Sequence, residues 1–150
     1  MTTIVTDSKT IAFDTRAVWG SSVISNKPHM KMKEKDGHYF FFAGIASQID
    51  AFMDVYFSTE PSAGCDEISC FVVTPDKELY CSGVFEDGVL YKDQLSEGEI
   101  YAIGSGHQFA ISALDLGKTP KEAVEYAITR DLYTGGDVNV FDIETMELLK

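Results

Sequence analysis

The stretch Met30-Lys31-Met32-Lys33-Glu34-Lys35-Asp36-Gly37-His38-Tyr39-Phe40-Phe41-Phe42-Ala43 decides how this chain folds. Its first half alternates apolar and charged residues, Asp36-Gly37 is a strong hairpin turn, and the second half returns as an unbroken aromatic and apolar run. A strand buried on one face only would alternate. The unbroken run therefore predicts a strand buried on both faces, in a sheet covered from both sides. Lys31 and Lys33 share a parity and are expected on one face of the outgoing strand.

Outward from this hairpin, the chain reads as strands, a helix, more strands, two helices and a last strand. Upstream, the β-branched residues of Thr2-Thr3-Ile4-Val5 favour a strand and Asp7-Ser8-Lys9 a tight turn. Thr10-Ile11-Ala12-Phe13 then returns and delivers Asp14 close to where the chain began. Residues 15–30 show no clean period and are expected to form an irregular connection, broken at Gly20-Ser21-Ser22 and Asn26-Lys27-Pro28. Downstream, Ile49, Phe52, Met53, Tyr56 and Phe57 recur at helical spacing up to the breaker Thr59-Glu60-Pro61. Two strands, near Ile68–Thr74 and Leu79–Phe85, flank Pro75-Asp76-Lys77, and short strands at Leu90-Tyr91 and Ile100–Ile103 enclose an acidic loop. Gly104-Ser105-Gly106 opens a helix that Gly117 stops. Thr119, Pro120 and Glu122 start the next as cap, first-turn proline and capping box, and it is expected to end near Asp131. Val138–Ile143 is the last strand. This order predicts an α+β fold, mostly antiparallel sheets with helices outside, in one domain over residues 1–150.

Composition narrows the function. With 150 residues the chain can bury a respectable core in one domain. A net charge of −12 argues against nucleic acid and anionic membrane as partners, since both repel such a surface. The start lacks the basic and apolar segments of a signal peptide, and no apolar run is long enough to span a bilayer. Cys65, Cys70 and Cys81 are an odd count without CxxC spacing, so they read as reduced thiols of a cytoplasmic protein, with no metal site.

The chain start carries chemistry. Thr2 directly follows Met1, and removal of Met1 leaves a threonine with a free α-amine. One residue then holds both a hydroxyl nucleophile and a weak base. Taken singly, the other polar residues are ordinary: Asp14 is a strand-end turn residue, Lys31 an edge charge and Ser105 a helix cap. Their order is less ordinary. The series runs from Thr2-Thr3-Ile4-Val5 through Asp14-Thr15-Arg16-Ala17, Lys31-Met32 and Ala43-Gly44-Ile45-Ala46. It continues through Ile103-Gly104-Ser105-Gly106 to Arg130-Asp131-Leu132-Tyr133-Thr134-Gly135-Gly136.

This series resembles the proteasome β-subunit and HslV-like family of N-terminal nucleophile (Ntn) hydrolases over nearly the whole chain. The resemblance implies an αββα sandwich and a threonine endopeptidase that works as a ring-like homo-oligomer on peptide or unfolded protein, without a cofactor. It also makes an ATP-dependent unfoldase a candidate partner. Thr2 would be the nucleophile and its α-amine the proton acceptor. Lys31, held by Asp14, would favour the deprotonated forms of both, and Ser105, Asp131 and Thr134 would fix the amine. The backbone N–H of Ser47 would donate to the oxyanion. Ala17, Val18, His29, Ile45 and Ile49 would lie along the substrate, with an apolar pocket that favours cleavage after a hydrophobic residue.

Three departures from the family pattern accompany the match. Ser47-Gln48 stands where the family carries a glycine pair, and Val18 where it commonly has threonine. The interval between the first helix and Ile68 has no room for the family's second long helix, so one outer helix is expected to be missing and apolar surface left for a partner to cover. Two further readings stay open: a catalytically silent binding or structural relative, and an Ntn amidase acting on a small molecule.

Overall fold

The computed structural model describes residues 2–19, 23–25, 30–58 and 68–149, with only the backbone for Trp19 and residues 23–25. Two five-stranded antiparallel sheets form the centre of the fold. One has the order β10-β1-β2-β11-β12, built from Tyr101–Gly104, Thr3–Thr6, Thr10–Asp14, Val138–Asp142 and Glu147–Leu148. The other has the order β5-β6-β7-β8-β9, built from Met32–Lys35, His38–Gly44, Ile68–Val73, Leu79–Val84 and Leu90–Leu95. Helix α1 is Ile49–Tyr56, entered through a 3-10 turn at Ala46–Gln48; α2 is His107–Asp115 and α3 Pro120–Ile128.

Strand periodicity sorts the side chains into layers. On β6, Phe41 and Ala43 enter the core between the sheets, whereas Phe40 and Phe42 pack with Phe52, Met53 and Tyr56 of α1. On β7, Phe71 and Val73 face the first core, Cys70 and Val72 the second. Ile4, Ile11 and Phe13 complete the inter-sheet core, and Val5 and Ala12 turn outward to α2 and α3. The result is helix, sheet, sheet, helix: β6 is buried on both faces, as the aromatic run predicts, and the layering is the αββα sandwich that the resemblance implies. Burying a side chain of this size is worth about 1.5–3 kcal/mol. Phe13, Phe41, Phe71 and Phe141, all fully buried, thus make the inter-sheet layer the main adhesive.

Local signals hold where the side chains decide. Asp36 and Gly37 take positive φ (52° and 77°) and close the β5–β6 hairpin. Thr119 caps α3 by accepting from Glu122 N at 3.2 Å, while Glu122 accepts from Thr119 N at 3.1 Å. Three expectations need correction. Residues 15–30 are not simply irregular: Ala17–Trp19 (β3) pairs with Val23–Ser25 (β4). Strand β9 runs on to Leu95 because β8 supplies a full ladder, up to Leu79↔Leu95. Helix α3 stops at Ile128, and β12 follows the last predicted strand. Strand β5 begins at Met32, and its pairing with β6 continues to Lys31, whose O accepts from Phe42 N at 2.9 Å. The breakers at 20–22, 26–28 and 59–61 lie outside the described residues, as do Met1, His29 and Cys65.

Candidate active site

Sheet register builds the site. Strand β1 sits between β2 and β10, with Ile4 opposite Phe13 and Thr3 opposite Gly104. Thr2, one residue before β1, therefore meets the end of β2 on one side and the Gly104-Ser105-Gly106 turn on the other. Asp14 ends β2, has no exposed surface, and is the hub. Its Oδ1 accepts from the Thr2 hydroxyl, from Thr3 N at 3.1 Å and from Lys31 Nζ at 2.6 Å. Its Oδ2 accepts from Gly135 N at 3.0 Å. Lys31 also donates to Thr2 Oγ1, so the Thr2 hydroxyl lies between a cation and a carboxylate. Thr2 itself is 2% exposed.

A second cluster adjoins it. Asp131 Oδ2 accepts from Ser105 Oγ at 2.6 Å and from Thr134 Oγ1 at 2.5 Å, and its Oδ1 accepts from Tyr133 N at 3.3 Å. Ser105 Oγ and Gly106 N both approach the carbonyl oxygen of Thr2, at 3.3 and 3.4 Å. Gly104 holds φ +97°, and a Cβ there would collide with that same carbonyl oxygen. Glycine is required at this position to let the chain start lie against the turn.

Arg16 ties the two clusters together. Its Nη1 donates to Leu132 O at 2.9 Å and to Thr134 O at 3.4 Å, while Thr15 N and Arg16 N donate to Gly135 O at 3.2 and 3.0 Å. A Cβ on Gly135 would strike the guanidinium. Sequence reasoning did not single out Thr3, Arg16 or Gly135. Gly135 bonds through its backbone, and its need to be glycine shows only once Arg16 is packed against it. The contacts of Arg16 become visible only with the fold in hand, since its acceptors are carbonyls more than a hundred positions away in sequence.

Burial lowers the Lys31 pKa from 10.5, and the nearby Arg16 charge lowers it further, while Asp14 opposes both. For Asp131, burial pushes upward but the hydrogen bonds from Ser105, Thr134 and the Tyr133 amide outweigh it and hold the carboxyl below 3.8. The two described thiols lie apart from this chemistry: Cys70 packs under α1 and Cys81 between the sheets, and burial lifts the Cys81 pKa to about 11. Among the described residues no group of His, Cys, Asp and Glu could hold a metal ion.

The residues expected along the substrate fall elsewhere. Ala17 and Val18 stand half-buried on β3; Ile45 and Ser47 are exposed on the turn into α1, whose first residue is Ile49. Within this turn Gln48 N donates to Ile45 O and Ile49 N to Ala46 O, so the amide of Ser47 lies outside the turn's own bonds, as helix starts leave it. His107 is exposed and its Nδ1 lies 2.8 Å from Gly104 O.

This arrangement defines a class by its fold. The structure of BPH from Thiobacillus denitrificans in complex with epoxomicin is similar at TM-score 0.63, with 19% identity and 99% of each chain covered. HslV from Trypanosoma brucei is similar at TM-score 0.63, with 17% identity, over 94% of this chain and 98% of that one. The Anbu (Gly-1) mutant from Hyphomicrobium sp. strain MC1 is similar at 0.67, with 12% identity, over 100% of this chain and 86% of that one. The chain thus has the Ntn-hydrolase sandwich fold of the HslV- and proteasome-like structures. No family model matches the chain, and no curated protein sequence matches it. No helix among the described residues is long and apolar enough to cross a membrane.

Proposed function

We propose that the chain, acting as one domain, is a threonine peptidase whose nucleophile is Thr2 Oγ1 once Met1 has been removed. The observation that carries this reading is the placement of the Thr2 hydroxyl between Lys31 Nζ and Asp14 Oδ1. The ammonium stabilises an alkoxide at Thr2, and Asp14 keeps that ammonium charged in a buried place.

In the reaction, the freed α-amine of Thr2 takes the hydroxyl proton as Oγ1 adds to the scissile carbonyl carbon. The resulting oxyanion meets the amide of Ser47, a contact of a kind worth about 2.7–4 kcal/mol of barrier. The tetrahedral intermediate collapses with transfer of that proton to the departing amine, leaving an ester on Thr2. Water, deprotonated by the same α-amine, hydrolyses the ester and restores the hydroxyl. Ser105, Asp131 and Thr134 hold the Thr2 backbone, and with it the amine, during both steps. With Met1 attached, Thr2 has no free amine, and that form is an inactive precursor.

Ala17, Val18, His29, Ile45 and Ile49 are proposed to line the substrate site, which favours cleavage after an apolar residue. Homo-oligomeric assembly in the cytoplasm is part of the same proposal; the exposed Phe57, Phe85 and Val89 give it apolar surface to bury. An unfoldase would deliver folded substrates. A panel of fluorogenic peptides tests the reading, with Thr2→Ala as control. Hydrolysis after hydrophobic residues, abolished in Thr2→Ala, supports a peptidase; hydrolysis of small amides alone supports the amidase reading instead.

A further inference from the structure

Thr3 takes no part in the scheme above, yet it is bonded to both halves of the site. Its N–H donates to Asp14 Oδ1 at 3.1 Å, and its Oγ1 lies 2.7 Å from Thr134 Oγ1. The direction of the second bond follows from its neighbours. Thr134 spends its single proton on Asp131 Oδ2 at 2.5 Å, so its oxygen can only accept from Thr3. The order of donation is Thr3 to Thr134 to Asp131, with Ser105 donating to the same carboxylate oxygen from the other side.

Two further observations indicate a built contact. Thr3 has no exposed surface, so no water can replace its partner, and losing the bond costs the full desolvation of the hydroxyls left behind. Gly106, the second glycine of the Gly-Ser-Gly turn, is where a Cβ would collide with Thr3 Oγ1 and come within 3.0 Å of Thr134 Oγ1. The turn is open at this point to admit the hydroxyl. The same turn carries Ser105, which reaches both Asp131 and the Thr2 carbonyl.

We propose that Thr3 is a positioning residue of the hydrolytic site, its hydroxyl setting the hydrogen-bond chain through Thr134 and Asp131 that places Ser105 against the Thr2 backbone. The inference rests on the peptidase reading for its effect on rate, but not for its effect on Asp131. Valine at residue 3 keeps the shape of threonine and puts a methyl where a 2.7 Å contact stood. Thr134 must then retreat by several tenths of an ångström and loses the polarisation that strengthens its own donation.

The test uses the full chain with Thr3→Val, Thr3→Ala and Thr3→Ser. Two readouts are followed: the titration of the Asp131 side-chain carboxyl by carbon NMR, and the rate of adduct formation on Thr2 by an epoxyketone. Thr3→Val and Thr3→Ala are expected to raise the Asp131 midpoint above that of the wild type. They should also slow the adduct about tenfold through misplacement, with kcat lowered and KM unchanged. Thr3→Ser, which restores the hydroxyl, is expected to return both readouts to within about twofold of the wild type. The alanine variant removes bulk rather than adding a clash, so it decides the matter should valine prevent folding. An unchanged midpoint and rate in the alanine variant, while the wild type forms its adduct, overturns the role of Thr3 alone. A wild type that forms no adduct overturns the peptidase reading, and the Asp131 titration still decides whether Thr3 sets the chain.

Discussion

Lys31 Nζ lies 2.6 Å from Asp14 Oδ1, with Asp14 wholly buried and the Lys31 side chain 11% exposed. Two charges so placed have lost most of their water, and each depends on the other. The remaining donors on Asp14, from the Thr2 hydroxyl and the amides of Thr3 and Gly135, keep the carboxylate oriented.

Breaking this pair from the lysine side leaves a buried carboxylate without its cation. Lys31→Met is expected to abolish turnover and to destabilise the fold by about 3 kcal/mol. The double variant Lys31→Met with Asp14→Leu should recover part of that stability without recovering activity. Urea denaturation of the two variants and the wild type measures the coupling.

The lowered Lys31 pKa gives opposite signs for activity and stability at high pH. The ammonium that favours the Thr2 alkoxide is lost below 10.5, so activity should fall at a lower pH than an ordinary lysine would dictate. Between the folded pKa and 10.5 the unfolded chain binds more protons at this group, so its contribution to stability rises with pH in that window. Removing the Arg16 charge in Arg16→Gln should move the alkaline limb upward. A kcat/KM profile and urea midpoints between pH 8 and 10.5 read both effects.

At the acid end the linkage of Asp131 has the same sign, stability rising with pH. Its folded pKa lies below 3.8, so the stability it contributes is present above that value and is lost as pH falls through the folded pKa. Asp131→Asn should therefore flatten the acid limb of a stability profile, followed by fluorescence during acid titration.

Glycines mark where the chain start touches its surroundings. Gly104→Ala must place a Cβ on the Thr2 carbonyl at a φ of +97°, and is expected to cost at least about 2 kcal/mol and to suppress activity. Gly98, also at positive φ (+85°) but with open space around it, should cost only its backbone strain, about 1 kcal/mol. Thermal unfolding of the two alanine variants separates collision from strain.

Much of the fold was legible because its elements carry their own instructions. The run Tyr39–Ala43 spelled out a strand between two apolar layers, and Thr119-Pro120 with Glu122 spelled out a capped helix. Strands β3, β4 and β12 were not legible, since three or fewer residues carry no period and only a pairing partner makes them strands. In the candidate site, Thr2, Asp14, Lys31, Ser105, Asp131 and Thr134 were named from a motif series, and hydrogen bonds join them in the structure. Thr3, which reads as an ordinary β-branched strand residue, shows its contacts only when β1 is set between β2 and β10. Of the substrate side, His29 lies outside the described residues.

The most direct test of Thr2 as nucleophile is intact mass of the protein purified from its native host, before and after treatment with an epoxyketone such as epoxomicin. Loss of Met1 and a single adduct mapped to Thr2, absent in Thr2→Ala, is the expected result. Retained Met1, or a processed chain that takes up no adduct at Thr2, would contradict it.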